Sequence, residues 1–238
     1  MLDMAVVPPG GRWTSAEFHS TYVCSQNLIA CQYECTTLCN EIAMSRTYTL
    51  KRRAEKQAET RRRIVEAAVE LHSTLGPAHT SLSMVAERAG VQRHTLYAHF
   101  PDERSLYLAC SGLAMERDPL PEADPWRSID DGRQRLRIGL GAVYGWYERN
   151  AQMAACVLRD AEHHALTKEI TELRLGPYMA GYHEVLGAGL DRKQDAMLRL
   201  ALSFFTWRTL VRETGLEQGD AVEVMVRAID CAGKGQQP

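Results

Sequence analysis

Two short amphipathic segments on either side of a glycine, within residues 82–101, limit what this chain can fold into. The glycine, Gly90, can adopt the left-handed conformation that ends a helix without steric cost. Ala86 and Leu96 stand at the offsets where a helix-turn-helix needs a small residue for close approach and a branched apolar residue as an anchor. The sequence therefore predicts two helices joined by a tight turn, the second over about residues 92–99.

The residues around this predicted helix pair carry a family resemblance. It rests on four segments, namely RRRIVEAA (61–68), AERAGV (86–91), TLYAHF (95–100) and FPDERSL (100–106). Together they resemble the TetR family of bacterial transcriptional regulators, over about residues 61–108. The resemblance implies an all-α fold, in which an N-terminal three-helix helix-turn-helix DNA-binding domain precedes a C-terminal helical bundle for ligand binding and dimerisation.

The composition of the chain also favours an all-α protein. Its 238 residues are 45% hydrophobic and only 7% aromatic, and the helix formers Ala, Leu, Glu and Arg are plentiful. No run approaches the roughly 18 apolar residues that a membrane helix requires, so we expect no membrane partner. The seven cysteines are an odd number, which argues against a closed disulfide framework. We expect a cytoplasmic, nucleoid-associated protein.

Positive charge is concentrated just ahead of the predicted helix pair. The formal net charge of the chain is −2, but seven basic and only two acidic side chains lie between Lys51 and Arg63. Because local charge governs attraction to phosphates, the near-neutral total does not argue against a double-stranded DNA partner. The alternative is a solvated helix face whose charges are partly paired.

The second predicted helix would carry the contacts to base edges. A recognition helix enters the major groove with its N-terminal residues first, here Gln92, Arg93, His94 and Thr95. Arg93 can hold O6 and N7 of a guanine together, which is the commonest specific contact to DNA. The family resemblance implies contacts to the DNA backbone from Arg61, Thr80, Ser81, Tyr97 and His99. Helix capping by Thr80 and Ser81, and packing of Tyr97 and His99, are the alternative roles.

One position departs from the family pattern. Where the family usually has a lysine two residues after the proline, this chain has Glu103, followed by Arg104. Either Arg104 supplies the charge from a neighbouring direction, or one contact to a phosphate is missing.

A turn-rich segment at residues 118–125, with three prolines, marks the predicted domain boundary. We expect an N-terminal extension over residues 1–50, disordered or the product of a wrongly assigned start, since Met44 is a possible true start. The helix-turn-helix domain would then span residues 51–110, and the ligand-binding and dimerisation domain residues 111–238.

Apolar periodicity in the last domain predicts long helices. One carries Leu136 and Tyr147, and the next runs from about residue 152 to 175, where Gly176 and Pro177 end it. A further helix, capped by Asp191, would continue through Val211 as far as Gly215, and the last would span about residues 219–231. The resemblance implies that the last two pair with those of a second subunit; an internal core uses the same periodicity.

The effector site is less well specified by the sequence. Aromatic residues at helical spacing could line an apolar pocket, and as candidates we take Trp146, Tyr178, Tyr182, Phe204 and Trp207, although core packing is the alternative role. Asp160, His163 and His164 could form the corner of a metal site, but a solvated helix end is the simpler interpretation. Cys110 and Cys156 are expected to be small buried apolar residues. We expect no metal and no cofactor.

The sequence as a whole predicts a homodimeric transcriptional repressor, released from a palindromic operator by a small apolar or aromatic effector. No P-loop, G-x-S-x-G or H-E-x-x-H motif occurs, so an enzyme is not expected. The alternative is a metal- or redox-responsive DNA-binding protein that senses through N-terminal cysteines, namely Cys24, Cys31, Cys35 and Cys39.

Overall fold

The computed structural model of the protein describes residues 28–233, with the side chains of residue 48 and of residues 50–233. The chain divides between Gln57 and Ala58 into two units, of which the second holds the features described below. All regular secondary structure in the described residues is helical, and none of it is a β-strand. This confirms the predicted all-α class. The N-terminal cysteines fall outside what the structure describes: this holds for the whole of Cys24 and for the side chains of Cys31, Cys35 and Cys39. The possible start at Met44 remains a prediction.

The first helix, α1, spans Leu28–Thr74. The apolar residues Ile64, Ala67, Ala68 and Leu71 recur at steps of three and four and predict a helix only from about residue 54 to residue 75, where Gly76 and Pro77 would end it. The sequence between residues 12 and 75 contains neither glycine nor proline, so nothing in it breaks a helix. The helix ends where predicted, because Gly76 adopts a φ of 100° and Pro77 begins a single 3₁₀ turn, Pro77–His79.

The predicted helix-turn-helix is present. Helix α2 spans Leu82–Arg88 and helix α3 spans Arg93–His99, and Gly90 between them has a φ of 64°. Helix α4, Glu103–Arg117, follows after Asp102, whose side chain accepts a hydrogen bond from the backbone of Ser105 and caps the helix.

A small apolar core holds these first helices together. Its most deeply buried side chains come from α1, α2, α3 and α4, and the residue that follows α3 joins them; they are Ile64, Ala68, Val85, Leu96, Leu106 and Phe100. Full burial of one such leucine, isoleucine, valine or phenylalanine stabilises the fold by about 1.5–3 kcal/mol. Leu96 is 1% exposed, as expected for the anchor of the second helix.

The remaining described residues, up to Gly233, add six helices and a short π-helical segment. A 3₁₀ turn at Asp124–Ser128 precedes α5 (Gly132–Arg149), α6 (Ala151–Ala161), α7 (Ala165–Leu186), α8 (Arg192–Ala201), α9 (Phe204–Trp207), the π-helical segment Arg208–Glu213 and α10 (Gln218–Gly233). Their shared core is rich in aromatic side chains, among them Tyr144, Tyr147, Tyr182 and Trp207. No helix in the described part is long and apolar enough to span a bilayer.

The helix predicted over residues 152–175 is wrong in its middle and at its C-terminal end. The chain leaves helical geometry at His164, whose extended backbone separates α6 from α7, and His164 Nδ1 lies 2.7 Å from Thr167 Oγ1. Helix α7 then continues through Pro177 instead of ending there. The residue before the proline is Gly176, and because it has no Cβ the clash that normally disfavours helical geometry at this position is relieved.

The helix predicted from Asp191 through Val211 is also interrupted. Asp191 forms the expected cap, as a complete capping box with Gln194. Helix α8 nevertheless ends at Ala201, because two hydroxyl groups on α5 take its last carbonyl groups. Tyr144 Oη donates to the oxygen of Ala201 at 2.9 Å, and Tyr147 Oη donates to that of Leu202 at 2.7 Å.

Candidate functional site

The N-terminal end of α3 presents a polar, accessible face. Gln92, Arg93 and His94 are exposed and Thr95 is half-buried, while Leu96 directly behind them is buried. The backbone of Gln92 is extended and caps the helix, but its side chain makes no capping hydrogen bond. These four side chains are therefore held on a fixed scaffold with their polar groups free to meet a ligand.

The residues that the resemblance assigns to the DNA backbone lie around this face in different ways. Ser81 Oγ accepts a hydrogen bond from the Met84 amide at 3.3 Å, and Thr80 Oγ1 donates to the oxygen of Gly76 at 2.8 Å, so both hydroxyls already have local roles. Tyr97 is 42% exposed and His99 is half-buried. Both aromatic side chains are thus accessible to a partner along the same helix.

Arg61 stands beside the recognition helix because of a contact that periodicity does not reveal. Its guanidinium carbon lies 4.7 Å from the centre of the Phe100 ring, immediately after α3. Among the described residues neither Arg61 nor Arg63 has a carboxylate within ion-pair distance, whereas Arg62 is paired with Glu59 at 2.8 Å and with Glu66 at 2.9 Å. Arg61 and Arg63 are therefore two unpaired positive charges near the recognition helix.

The structure also shows where the side chain of Arg104 goes. Its Nε donates to Glu169 of α7 at 2.8 Å, and this ion pair connects α4 with α7. Arg104, the side chain that could have replaced the lysine expected from the resemblance, is thus already paired with Glu169. Glu103, at the lysine position itself, is the first residue of α4.

A second feature is a cavity of about 460 Å³, which is lined by residues of α1, α4, α5, α6, α7 and α9. Its wall is mostly apolar, with side chains such as Val157, Leu158, Ile170 and Met179. Its lining includes His72 and Pro77, which lie beside the helix-turn-helix, and the aromatic residues Phe204 and Phe205. A cavity of this size and chemistry is typical of sites for small apolar ligands.

The five aromatic residues predicted for the pocket separate into three groups. Trp146 and Phe204 line this cavity. Tyr178 and Tyr182 instead line a different, smaller pocket, and the hydroxyl of Tyr182 donates to the oxygen of Pro121 at 2.6 Å. Trp207 is fully buried in the core and lines neither.

Two polar residues of the cavity wall, His72 and Tyr107, were not anticipated from the sequence, whereas Cys110 is buried as predicted. The Sγ atom of Cys110 lies 3.5 Å from Nδ1 of His72, and the ring of Tyr107 lies 4.8 Å from that of His72. Burial lowers the pKa of His72 to about 4, against an opposing effect of Asp160, and raises the pKa of Cys110 to about 12. Both groups are therefore neutral near pH 7, which suits an apolar ligand.

The turn between α1 and α2 is held by side chains of α4 and α6. Asp160 Oδ2 accepts from the Ala78 amide at 2.9 Å, Arg159 donates to the oxygen of Leu75 at 3.0 Å, and Tyr107 Oη donates to that of Pro77 at 3.0 Å. A Cβ at Gly76 would collide with the Asp160 carboxylate. These bonds, which we call the turn clasp, connect the cavity wall with the start of the helix-turn-helix.

Asp160 is buried, with 4% of its surface exposed, so the interpretation of this segment as a solvated helix end is wrong for this residue. Its burial alone would raise its pKa, but the Ala78 amide and the neighbouring Arg159 outweigh that effect, and the pKa is lowered. Within the described residues no three histidine, cysteine or acidic side chains converge as metal ligands.

Comparison with known proteins gives a consistent result for the N-terminal part. The family model described as "Bacterial regulatory proteins, tetR family" matches residues 64–110. The chain is 31% identical over 94 residues to the HTH-type transcriptional activator FasR of Mycolicibacterium smegmatis, covering 40% of this chain and 43% of that protein. It is 39% identical over 59 residues to the HTH-type transcriptional regulator AcrR of Shigella flexneri, covering 24% and 27%. The chain thus matches less than half the length of these curated relatives.

Solved structures resemble a larger part of the chain. The fatty acid degradation regulator FadR of Bacillus halodurans has a TM-score of 0.54 and 16% identity, covering 75% of this chain and 97% of that one. FadR of Bacillus subtilis, in complex with stearoyl-CoA, has a TM-score of 0.51 and 18% identity, covering 70% and 96%. At these identities the likeness shows a shared fold. These relatives are named as regulators and not as enzymes, in agreement with the prediction.

Proposed function

We propose that this chain is a cytoplasmic, homodimeric repressor of the kind found in the TetR family of bacterial transcriptional regulators, and that a small molecule releases it from a palindromic operator. The match of residues 64–110 to the family model and the likeness to FasR over 94 residues support this proposal. The observation that carries the DNA-binding part is the exposed end of α3, where Gln92, Arg93 and His94 stand on a buried anchor at Leu96. The unpaired Arg61 lies against the residue that ends this helix and adds charge for phosphates.

A homodimer is supported by apolar side chains that remain exposed on two C-terminal helices. Leu200 of α8 is 49% exposed and Val224 of α10 is 45% exposed. Burial of such a face against a second copy would remove it from water. Two recognition helices about 34–36 Å apart would then read the two halves of a palindrome in successive major grooves.

The effector that we propose has a long apolar chain, such as the acyl chain of a fatty acid or of its thioester. The support comes from the apolar wall of the 460 Å³ cavity, and from the resemblance in fold to FadR of Bacillus subtilis, whose structure contains stearoyl-CoA. The turn clasp offers a route for the signal, because Tyr107 both lines the cavity and bonds the turn that leads into α2. Occupation of the cavity would thus change the spacing of the recognition helices and weaken simultaneous binding.

The experiment that tests this function is binding of the full-length chain to the DNA just upstream of its own coding region, across a series of salt concentrations. Saturable binding of two subunits to a short palindrome, steeply weakened by salt, is the expected result. Binding without a preferred site at every salt concentration would contradict a sequence-specific regulator that controls this region.

Replacement of Arg93 by alanine should reduce discrimination at one base pair of each half-site. A bidentate contact to guanine contributes about 1–3 kcal/mol of discrimination, so the preference for the cognate base should fall about fivefold to 150-fold. Binding to operators with each base substituted at that position measures the effect. Tyr97→Phe is the comparison variant, since loss of a contact to phosphate should lower the affinity for all of these operators by the same factor. If Arg93→Ala also lowers the affinity for all of them equally, Arg93 does not read a base.

Replacement of Arg61 by alanine should make binding less dependent on salt. The slope of log affinity against log salt should become shallower by about one for each phosphate contact that is lost from each subunit. The adjacent Arg62→Ala is a matched control, because Arg62 is already paired with Glu59 and Glu66. Equal changes of slope in the two variants would remove Arg61 from the interface.

A further inference from the structure

We infer that Arg174 binds the acidic head group of the effector, which is therefore an amphiphile with an apolar chain and a carboxylate or phosphate at one end. This inference rests on the proposed function, in that it assumes that the cavity holds the effector. It adds the requirement that the effector carries an acidic group and names the residue that recognises this group.

The charge in the cavity wall is confined to one helix. The lining is largely apolar, and its two charged side chains in the described part are Glu172 and Arg174, both on α7. His72, which also lines the cavity, is neutral near pH 7 because burial lowers its pKa to about 4. Glu172 is exposed, so this part of the wall meets solvent, and its carboxylate lies 3.9 Å from Nζ of Lys168. A chain in the cavity can therefore place a polar end here.

The guanidinium of Arg174 is half-buried and lacks a counter-charge. Its Nε donates to Ser111 Oγ at 3.1 Å, and its Nη2 donates to the oxygen of Leu108 at 2.8 Å, both neutral groups on α4. No carboxylate of the described residues lies within 4.0 Å of it, in contrast to the neighbouring Arg104, which is paired with Glu169. Five N–H donors in a planar fork suit a carboxylate or phosphate, and only two of the five bonds are made by the groups named.

The backbone of α4 is shaped to admit this side chain. A Cβ on Gly112 would lie 3.3 Å from Nη2 of Arg174, closer than an ordinary van der Waals contact. The glycine thus lets the guanidinium lie against α4, in reach of the cavity. The positive charge of Arg174 is felt at the cavity wall: burial raises the pKa of Cys110, which also lines the cavity, and Arg174 opposes this rise.

The test compares probes that share a chain and differ in the head group. Dodecanoate, dodecan-1-ol and dodecanoyl-CoA would displace Nile red, a neutral apolar dye, from the full-length protein. The wild type should bind the acid or the thioester at least about tenfold more tightly than the alcohol. Arg174→Gln should lose about tenfold or more for the charged probe alone, while its affinity for the alcohol stays unchanged.

A second variant covers the case in which Arg174→Gln does not fold. Glu172→Gln removes the nearby negative charge from an exposed side chain, so the fold should tolerate it. It should tighten binding of the acid about two- to fivefold, without an effect on the alcohol. Unchanged binding of both probes would contradict an anion held at this place.

The outcomes separate this inference from the function on which it rests. Equal binding of all three probes by the wild type, or parallel losses of the charged probes and the alcohol in Arg174→Gln, would overturn the role of Arg174 and leave an apolar effector site intact. Failure of every probe to displace the dye would overturn both. A preference for dodecanoyl-CoA over dodecanoate, abolished in Arg174→Gln, would support the inference and identify a phosphate-bearing thioester as the source of the negative charge.

Discussion

The free energy of unfolding should fall by about 3 kcal/mol as the pH is lowered from 6.5 to 4, because of His72 alone. This side chain is 6% exposed, and burial lowers its pKa from 6.5 to about 4. In the unfolded chain the imidazole binds a proton below pH 6.5, whereas in the folded protein it does so only below about pH 4. The unfolded state therefore binds more protons in this window, and acid favours it.

Two neighbours act on this titration in opposite directions. Asp160 favours the protonated imidazole and His164 disfavours it, but both effects are smaller than that of burial. The aromatic ring of Tyr107 and the thiol of Cys110 complete the surroundings, and neither brings a charge near pH 7 that would stabilise the imidazolium.

The measurement is urea unfolding of the wild type and of His72→Gln at a series of pH values between 7 and 4. Carboxylates titrate in the same range, so the decisive quantity is the difference between the two pH profiles. His163→Gln is the matched control, since the side chain of His163 is 83% exposed. Parallel profiles for the wild type and His72→Gln would contradict the assigned pKa of His72.

Replacement of Trp207 by alanine should destabilise the protein by about 3–5 kcal/mol. The residue is fully buried, and its ring centre lies 5.4 Å from that of Phe204 and 5.9 Å from that of Tyr147. Truncation to alanine removes these contacts and leaves a cavity that the surrounding helices can fill only in part. Because Trp207 does not line the effector cavity, the loss should appear as a lower urea midpoint without a matched loss of effector affinity in the folded protein.

Trp207→Phe makes this prediction more specific. The indole Nε1 is buried and has no hydrogen-bond partner among the described residues. A buried polar group without a partner costs about 1–3 kcal/mol, so its removal should offset part of the volume that phenylalanine fails to fill. We expect Trp207→Phe to be clearly more stable than Trp207→Ala; equal destabilisation of both would show that the indole NH carries no such cost.

Local chemistry was sufficient to predict the helix-turn-helix. Gly90, Ser81 and Asp191 act through their own backbone or the next turn, so their roles can be inferred from a few adjacent residues. The end of α8 could not be predicted in this way. It depends on the hydroxyls of Tyr144 and Tyr147, more than 50 positions away along the chain.

The cavity was only partly predictable for a related reason. Helical periodicity indicates which side chains point inward, but not which inward positions are left unfilled. Trp146 and Trp207 both point inward, yet Trp146 borders empty space and Trp207 is enclosed by other rings. The sequence pattern did not indicate that Arg174 lines the cavity, because this position depends on the close approach of α4 and α7 at Gly112.

The turn clasp grips the peptide backbone of the turn, and this has a consequence for how the protein can change over generations. The groups that are held are the amide of Ala78 and the carbonyl oxygens of Leu75 and Pro77, and the side chains of Leu75 and Ala78 are exposed. Substitutions of Leu75 and Ala78 keep these backbone groups and hence the turn clasp, so we expect both positions to vary among related sequences. Selection should instead conserve Asp160, which is distant in sequence, and Gly76, where no other residue fits both the space and the backbone angle.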